Sequence, residues 1–523
     1  MTILLIMKKF FALLFSILRS YSESLAEALR ENEYTQEFKE RYPRLFSFVR
    51  NRLSPREYLG LHLTIGFFVT IYFSVQFVQL TTALFRDSEL TRIDTNIITF
   101  LTTVRTGAFM RPMLFFTALG NWPIVAFVTL FFATLWIWQK RWFRVGMLFL
   151  TVLGSEFLAV LLKIFIARER PDPSAALLIE TSYSFPSGHA MIALALYGFL
   201  AYSMMRTSRS LVRRIGIMGI ACAFILAIGV SRIYLGVHWP SDVFGGYLLA
   251  LFWIAIVATA AEVHHRFVLR RPLVQKIFFP LRWIAPLLML WSVAAIVYVV
   301  SFVERPHFQP SAVHRALPVD RIEEHRTLSD AILDALPDVS EGLTGRQLEP
   351  VSLILIGDSV TIRTAFTRTG WLSAETLTLR SSWDTILRAL RNRPYPTAPI
   401  SPAFVYGRPQ DSAWQKSTEK NSARERHHVR LWKDASLRVE GKEVWVGTAS
   451  FDAGIRLTPR VRIPTHRIAP AIDVERDFVV ADLERIGFVV KKEMIQRYDP
   501  FLGTNALGDP FFTDGKVVIL YLK

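Results

Sequence analysis

The chain has 523 residues, of which 51% are hydrophobic and 20% charged, with a formal net charge of +17; that mixture suits a membrane part joined to a soluble part better than one globule. The basic excess lies in short stretches flanking apolar runs, and acids and bases nearly balance beyond residue 304, which favours topogenic charge and attraction to anionic headgroups over nucleic-acid binding. The single cysteine, Cys222, excludes an internal disulfide and a zinc site built on paired cysteines, and the chain carries no Walker-type phosphate loop, dinucleotide fingerprint or HExxH helix.

Taken in chain order, residues 1–20 are apolar but interrupted by Lys8 and Lys9. Phe10–Leu18 is too short to span a bilayer, and without a convincing small-residue cleavage site an interfacial helix is preferred to a signal peptide. A polar, helical segment rich in arginine follows to Pro55, so that 1–57 reads as an amphipathic, cytoplasmic N-terminal segment. Then come seven runs long and apolar enough to cross, or nearly so: Leu59–Phe85, Met110–Trp138, Phe143–Ala167, Ser187–Met205, Ile215–Ser231, Val243–Val263 and Ile284–Val303. A break is expected in the second at Gly120-Asn121-Trp122-Pro123, because proline removes a helix donor and crowds the preceding turn. Leu90–Arg105 is amphipathic and is placed at the membrane surface.

Four basic segments flank these runs: the stretch before the first, then those around Lys140, Arg141 and Arg144, around Arg206, Arg209, Arg213 and Arg214, and around Arg266, Arg270, Arg271 and Lys276. With one span per run all four fall on one side, which the positive-inside rule assigns to the cytoplasm. Loops 86–108, 168–186 and 232–242, and everything after the seventh run, then face outward. Residues 264–303 form a cytoplasmic loop and a linking span. Beyond Val303 the composition turns polar, and 304–523 reads as a mixed α/β domain. In it Val351–Ile356, Glu443–Val446 and Lys516–Leu522 are predicted strands, Asp384–Leu390 and Val479–Ile486 predicted helices, and 394–409 a proline-rich loop.

Three clusters carry chemistry, and all three fall on the outward side. Lys163 and Arg170-Pro171 end the third span, Pro186-Ser187-Gly188-His189 opens the fourth, and Ser231-Arg232, His238 and Asp242 lie between the fifth and sixth. A cation at the edge of a span is expensive without a function or partner. A lone lysine there is usually snorkelling, but several bases with two histidines and an aspartate on one face form an anion site. Lys163, Arg170 and Arg232 suit the equatorial oxygens of a phosphoryl group. Ser187, Gly188 and His189 offer backbone N–H groups at a helix N-terminus. One histidine can attack phosphorus while the other protonates a leaving alkoxide, and a carboxylate four residues past His238 can orient its ring.

The pattern KxxxxxxRP, PSGH, SRxxxxxHxxxD resembles the type-2 phosphatidic acid phosphatase superfamily over roughly residues 59–262, with every signature position present. The resemblance implies a six-helix core over 58–263, leaving the seventh run as the linking span. The expected fold is therefore an all-α polytopic membrane bundle followed by a soluble mixed α/β domain. The resemblance also implies roles: His238 attacks to form a phosphohistidine, Asp242 supports it, His189 is the general acid, and Lys163, Arg170, Ser187, Gly188 and Arg232 cradle the phosphate. No metal and no cofactor are expected.

The soluble part resembles the LssY-type C-terminal domain through YPTAPISPAFVYGRPQDSAWQK, RHHVRLW, VWVGTASFD and THRIAPAIDVERD. In relatives of this architecture a DedA-like membrane domain precedes the phosphatase core; the short N-terminal segment is not expected to hold one. His427, His428, His466, Asp452, Asp473 and Glu475 would suffice for a metal if they converged. Neighbouring strand residues face opposite ways, so a structural polar network is the preferred reading.

The expected function is hydrolysis of a lipid phosphate or pyrophosphate at the extracytoplasmic face of a cell (inner) membrane. Undecaprenyl pyrophosphate, phosphatidate and phosphatidylglycerophosphate are the candidate substrates. Transfer of the phosphoryl group to a second lipid is the alternative within the same chemistry. A membrane-anchored transport or secretion accessory, with a protein partner on the C-terminal domain, is the non-enzymatic alternative. The apolar spans disfavour a soluble haloperoxidase. Oligomeric state is left open.

Overall fold

The computed structural model describes most of residues 31–53, 60–264, 280–305 and 323–523, with short internal breaks, the longest at 419–424 and 458–463. The expected interfacial helix at 1–20 and the basic stretch 265–279 fall outside the described residues, apart from isolated positions. Two short polar helices, α1 (Glu33–Arg41) and α2 (Pro43–Leu53), lead to the first long helix, α3 (Leu61–Arg86). The amphipathic α4 (Ser88–Val104) follows it.

The second predicted span is two helices, α5 (Gly107–Leu119) and α6 (Trp122–Trp138), bent by 53°. The break falls at Gly120-Asn121, because Pro123 is tolerated only in the first turn of a new helix, where no N–H is needed. Helices α7 (Trp142–Ile166), α8 (Gly188–Thr207), α9 (Leu211–Tyr234), α10 (Pro240–Val263) and α11 (Ala285–Glu304) complete the membrane part. Among the described residues six helices are long and apolar enough to cross a membrane, and seven if the bent pair is one span.

Helix α8 is the centre of the bundle. Ile192, Leu196, Phe199 and Leu200 pack on one side against Val125, Trp136, Leu148, Val152 and Val257. Met191 packs on another against Phe77, Ala159, Phe185 and Leu248. Large apolar side chains point outward on the rim, for example Phe67, Phe68, Phe157, Phe165 and Ile220, as helices in hydrocarbon require. Gly246 lets α10 come close: a β-carbon there would lie 2.6 Å from the Ser187 carbonyl oxygen.

The charged turns at 140–144 and 206–214 lie at one end of the bundle. Arg206 pairs with Glu262, and the Phe143 ring stacks on His264 at 3.9 Å, bringing the starts and ends of α7, α8 and α10 together. Loops 167–187 and 235–239 lie at the other end. There α11 delivers the chain to the C-terminal part, whose Glu341 pairs with Arg92 of α4 at 2.7 Å.

That C-terminal part is built on a nine-stranded sheet. Strands β1 (Leu353–Ile356), β2 (Glu425–Val439), β3 (Lys442–Leu457) and β4 (Lys516–Leu522) form its centre. Leu353 and Leu355 face helices 359–368 and 472–485, while Ile354 and Ile356 face a second apolar layer with Leu333, Trp432 and Val446. Burial on both faces explains the continuous apolar run at 351–356. Strand β3 is far longer than the predicted Glu443–Val446, and the predicted helix Asp384–Leu390 lies partly outside the described residues.

We expect Gly246→Ala to destabilise the membrane part by about 1–3 kcal/mol, the usual cost of overpacking, because backbone rather than a flexible side chain stands in the way. Thermal unfolding in detergent micelles checks it; an unchanged transition would contradict this packing.

Candidate active site

Helix α10 begins one residue after the His238-Trp239 pair, which places Asp242 in its first turn. Asp242 Oδ2 accepts the Trp239 N–H at 2.8 Å and the Ser184 hydroxyl, and lies 3.3 Å from His238 Nδ1. Both side chains are almost wholly buried. Bonding to the carboxylate puts the ring proton on Nδ1 and leaves the Nε2 lone pair facing away from α10. Nε2 stands 3.4 Å from Arg170 Nη1 and opens on a cavity of about 1060 Å³. Burial, reinforced by the Arg232 and Arg170 guanidiniums and Lys163, holds the His238 imidazole well below its ordinary value. The ring is therefore neutral, as attack through nitrogen requires.

The cations come from three elements. Lys163, in the last turn of α7, donates to the Tyr183 carbonyl at 2.7 Å and to Ser182 Oγ at 3.1 Å. Arg170 donates through Nε to the Ser182 carbonyl at 2.6 Å and through Nη1 to the Val237 carbonyl. Arg232, in the last turn of α9, donates to Thr117 Oγ1 at 2.6 Å and pairs with Glu180. Its Nε–H is buried with no partner among the described residues, a donor matched to an anion that enters the cavity. Glu180 also stands 4.0 Å from Arg170. Burial pushes the Glu180 carboxyl up, but Arg232 beside it more than offsets this and holds it below the usual range.

His189 faces the same cavity from the start of α8, with Nε2 2.7 Å from Asn121 Oδ1. Gly188 lines the cavity, and the first-turn N–H groups of a helix have no intrahelical acceptor. Ser187 departs from the expected role. It is fully buried, it caps α8 by accepting from the Ala190 N–H, and its own N–H is taken by the Asp242 carbonyl at 3.0 Å. The structure thus brings Lys163, Arg170, Gly188, His189, Arg232 and His238 around one cavity, with Asp242 behind His238 and Ser187 behind the loop. The opposite wall is apolar and includes Trp122, Leu130, Phe149, Val160 and Ile164.

Several residues of this network were not singled out from sequence. Arg168 donates to Asp242 Oδ1 at 2.6 Å, to Ser241 Oγ at 2.7 Å and to Asp94 Oδ2 of α4 at 2.8 Å. Asp94 also accepts the Ser241 N–H at 3.0 Å. A buried acid in an otherwise amphipathic surface helix was the available signal for Asp94. Arg168 was hidden beside Arg170, and Glu180 and Asn121 carry no motif.

The potential metal ligands of the C-terminal domain separate. His427 pairs with Glu475 at 2.9 Å and stacks on Phe478. His428, on the opposite face of the strand, lies 3.0 Å from Asp452, and burial pushes its imidazole down to about 4. Asp473 accepts from Thr513 and the Asp514 N–H. The His466 side chain lies outside the described residues.

Residues 144–266 match the PAP2 superfamily, and residues 333–517 match the family described as LssY C-terminus. Phosphatidylglycerophosphatase B of Bacillus subtilis is 38% identical over 137 residues, which is 26% of this chain and 66% of the relative. An undecaprenyl-diphosphatase of Sulfolobus acidocaldarius is 32% identical over 149 residues, 27% of this chain and 62% of the relative. A lipid A 1-phosphatase of Rhizobium johnstonii is 35% identical over 120 residues, 21% and 45% of the two chains. The match thus spans less than two thirds of the length of these relatives. The crystal structure of a transmembrane PAP2-type phosphatidylglycerolphosphate phosphatase from Bacillus subtilis is 28% identical, covering 38% of this chain and 98% of that one, with a TM-score of 0.35.

Because Glu180 occupies part of the cation cluster, we expect Glu180→Gln to bind orthovanadate or inorganic phosphate about three- to tenfold more tightly, removing one like charge from an anion site. Isothermal titration on the purified protein checks it; weaker binding would mean that Glu180 organises the cluster rather than competing in it.

Proposed function

With a PAP2 superfamily domain joined to an LssY C-terminal domain in one multi-pass membrane chain, we propose that the protein is a lipid phosphatase acting through a phosphohistidine on His238. The observation that carries this reading is the pairing of His238 Nδ1 with Asp242 while Nε2 opens, beside Arg170, on a cavity shared with Lys163, Arg232 and His189. His238 Nε2 attacks phosphorus, the bond from phosphorus to the lipid oxygen breaks, and His189 gives that oxygen a proton. Water then attacks the phosphohistidine, His189 takes the water proton, and the P–N bond breaks to release phosphate. Arg170, Arg232 and Lys163 spread the charge of the transferring group, which is most of what phosphoryl transfer asks of a protein. Asp242 orients the nucleophile and steadies the cation that forms on it, and Arg168 and Ser184 hold Asp242.

The substrate class is a phosphate or pyrophosphate at the end of a lipid. The apolar wall formed by Trp122, Leu130, Phe149, Val160 and Ile164 suits the chain of such a molecule. The names of the relatives favour phosphatidylglycerophosphate and undecaprenyl pyrophosphate, with phosphatidate a third candidate. The site lies at the end of the bundle opposite the basic turns at 140–144 and 206–214, so the positive-inside rule favours an extracytoplasmic site and C-terminal domain in an inner membrane.

Two outcomes test this. Purified protein in micelles should release phosphate from at least one of these three lipids, and His238→Ala should lower the rate by at least ~10³-fold, as loss of a nucleophile does. Near-normal turnover in that variant would remove His238 from the role. Appearance of the phosphoryl group on an added lipid alcohol, with no free phosphate, would make the protein a lipid phosphotransferase instead. Separately, a periplasm-active reporter fused after Lys523 should be active, and a silent one would reverse the orientation.

A further inference from the structure

The last span lies outside the residues that match the PAP2 superfamily, yet it reaches the site. Helix α11 packs against α5 and α6, and Tyr298 and Phe302 stand in the wall of the cavity that holds the two histidines. The Tyr298 hydroxyl accepts from Asn121 Nδ2 at 3.0 Å. The amide oxygen at the other end of Asn121 stands 2.7 Å from His189 Nε2. Asn121 has the N-cap position of α6, but its side chain makes no cap bond to that helix. It is committed instead to a relay from α11 to α8.

We propose that Asn121, braced by Tyr298, is the positioning residue for His189, so that the span leading to the C-terminal domain is a working part of the active site. The inference rests on His189 being the acid–base group of the proposed reaction. With Asn121 Nδ2 donating to Tyr298, Oδ1 faces the imidazole and can only accept. His189 Nε2 therefore carries a proton, and Nδ1 is the nitrogen left to exchange one with the leaving oxygen. The arrangement parallels Asp242 on His238, with one difference in chemistry. A carboxylate would hold the proton on the ring and repel the phosphate; a neutral amide orients the ring while leaving its proton transferable. Gly120 makes room for the approach, since a β-carbon there would lie 2.8 Å from the His189 ring.

The test compares full-length wild type, Asn121→Ala and Tyr298→Phe on a lipid phosphate and on an aryl phosphate whose phenolate leaves without a proton. Through the step that forms the phosphohistidine, kcat/KM for the lipid should fall about five- to tenfold in Tyr298→Phe, the loss of one hydrogen bond in a relay. In Asn121→Ala it should fall about 10²-fold, as expected for a misplaced acid. With the aryl phosphate both variants should stay within about twofold of wild type. Equal losses on both substrates would reduce the relay to packing and overturn the inference. If wild type turns over neither substrate, the functional reading fails, and ¹⁵N-histidine spectra of the same proteins still judge the relay. His189 should show the Nε2–H form in wild type and lose that preference in Asn121→Ala; an unchanged spectrum overturns it.

Discussion

The site depends on keeping buried charges paired at the edge of an apolar bundle. Asp94, Arg168 and Asp242 form one continuous chain of ion pairs that ends on His238, and both acids are essentially inaccessible to water. A buried ion whose partner is removed costs about 3–5 kcal/mol, so each member of the chain fixes the next. That is why His238, on a five-residue loop, can hold a defined direction. Asp242 receives donors from a loop arginine, a serine hydroxyl, a backbone N–H and the histidine ring, and so has little freedom to turn.

On the cavity side the balance is deliberately incomplete. Lys163 and Arg170 spend their donors on the carbonyls of Ser182, Tyr183 and Val237, which positions them without neutralising them. Glu180 lies beside Arg232, and Glu156 and Glu169 also line the cavity. Lys163, Arg170 and Arg232 all line this cavity, in surroundings that screen charge weakly. The chain behind His238 is closed by paired ions, while in front the buried Arg232 Nε–H has no partner among the described residues.

Much of this was legible in the chain, and what was not has a physical explanation. Spans follow from apolar length alone, and the bend at 120–123 from proline chemistry. Lys163, Arg170, His189, Arg232, His238 and Asp242 were legible as candidates because they carry the KxxxxxxRP, PSGH and SRxxxxxHxxxD spacing at the outward ends of the spans. Arg168 was missed although it is two residues from Arg170. The reason is the left-handed turn at Ala167, with φ of 48°, which ends α7; beyond it Arg168 reaches Asp242 and Asp94, while Arg170 reaches the Ser182 and Val237 carbonyls. No one-dimensional spacing shows that turn. Asp94, Asn121, Glu180 and Tyr298 come from four separate segments, and only folding brings them to the histidines. Ser187 was expected in the phosphate cradle from its place in PSGH; its N–H bonds the Asp242 carbonyl and fastens the loop to α10.

The same reasoning bears on how the C-terminal domain relates to the bundle. Helix α4 turns two faces to two neighbours, as its period of 3.6 residues requires. Arg92 and Asn96, one turn apart, meet Glu341 and the Gly342 carbonyl of the C-terminal domain. Asp94, between them in sequence and on the other side of the helix, holds Arg168 and Ser241. The exposed Arg92–Glu341 pair contributes little by itself, whereas Asn96 and Asp94 are buried. A rigid helix cannot shift one of these faces and keep the other. The C-terminal domain therefore meets a helix whose other face holds the residues behind His238, while α11, the span that precedes that domain in the chain, reaches His189 through Asn121.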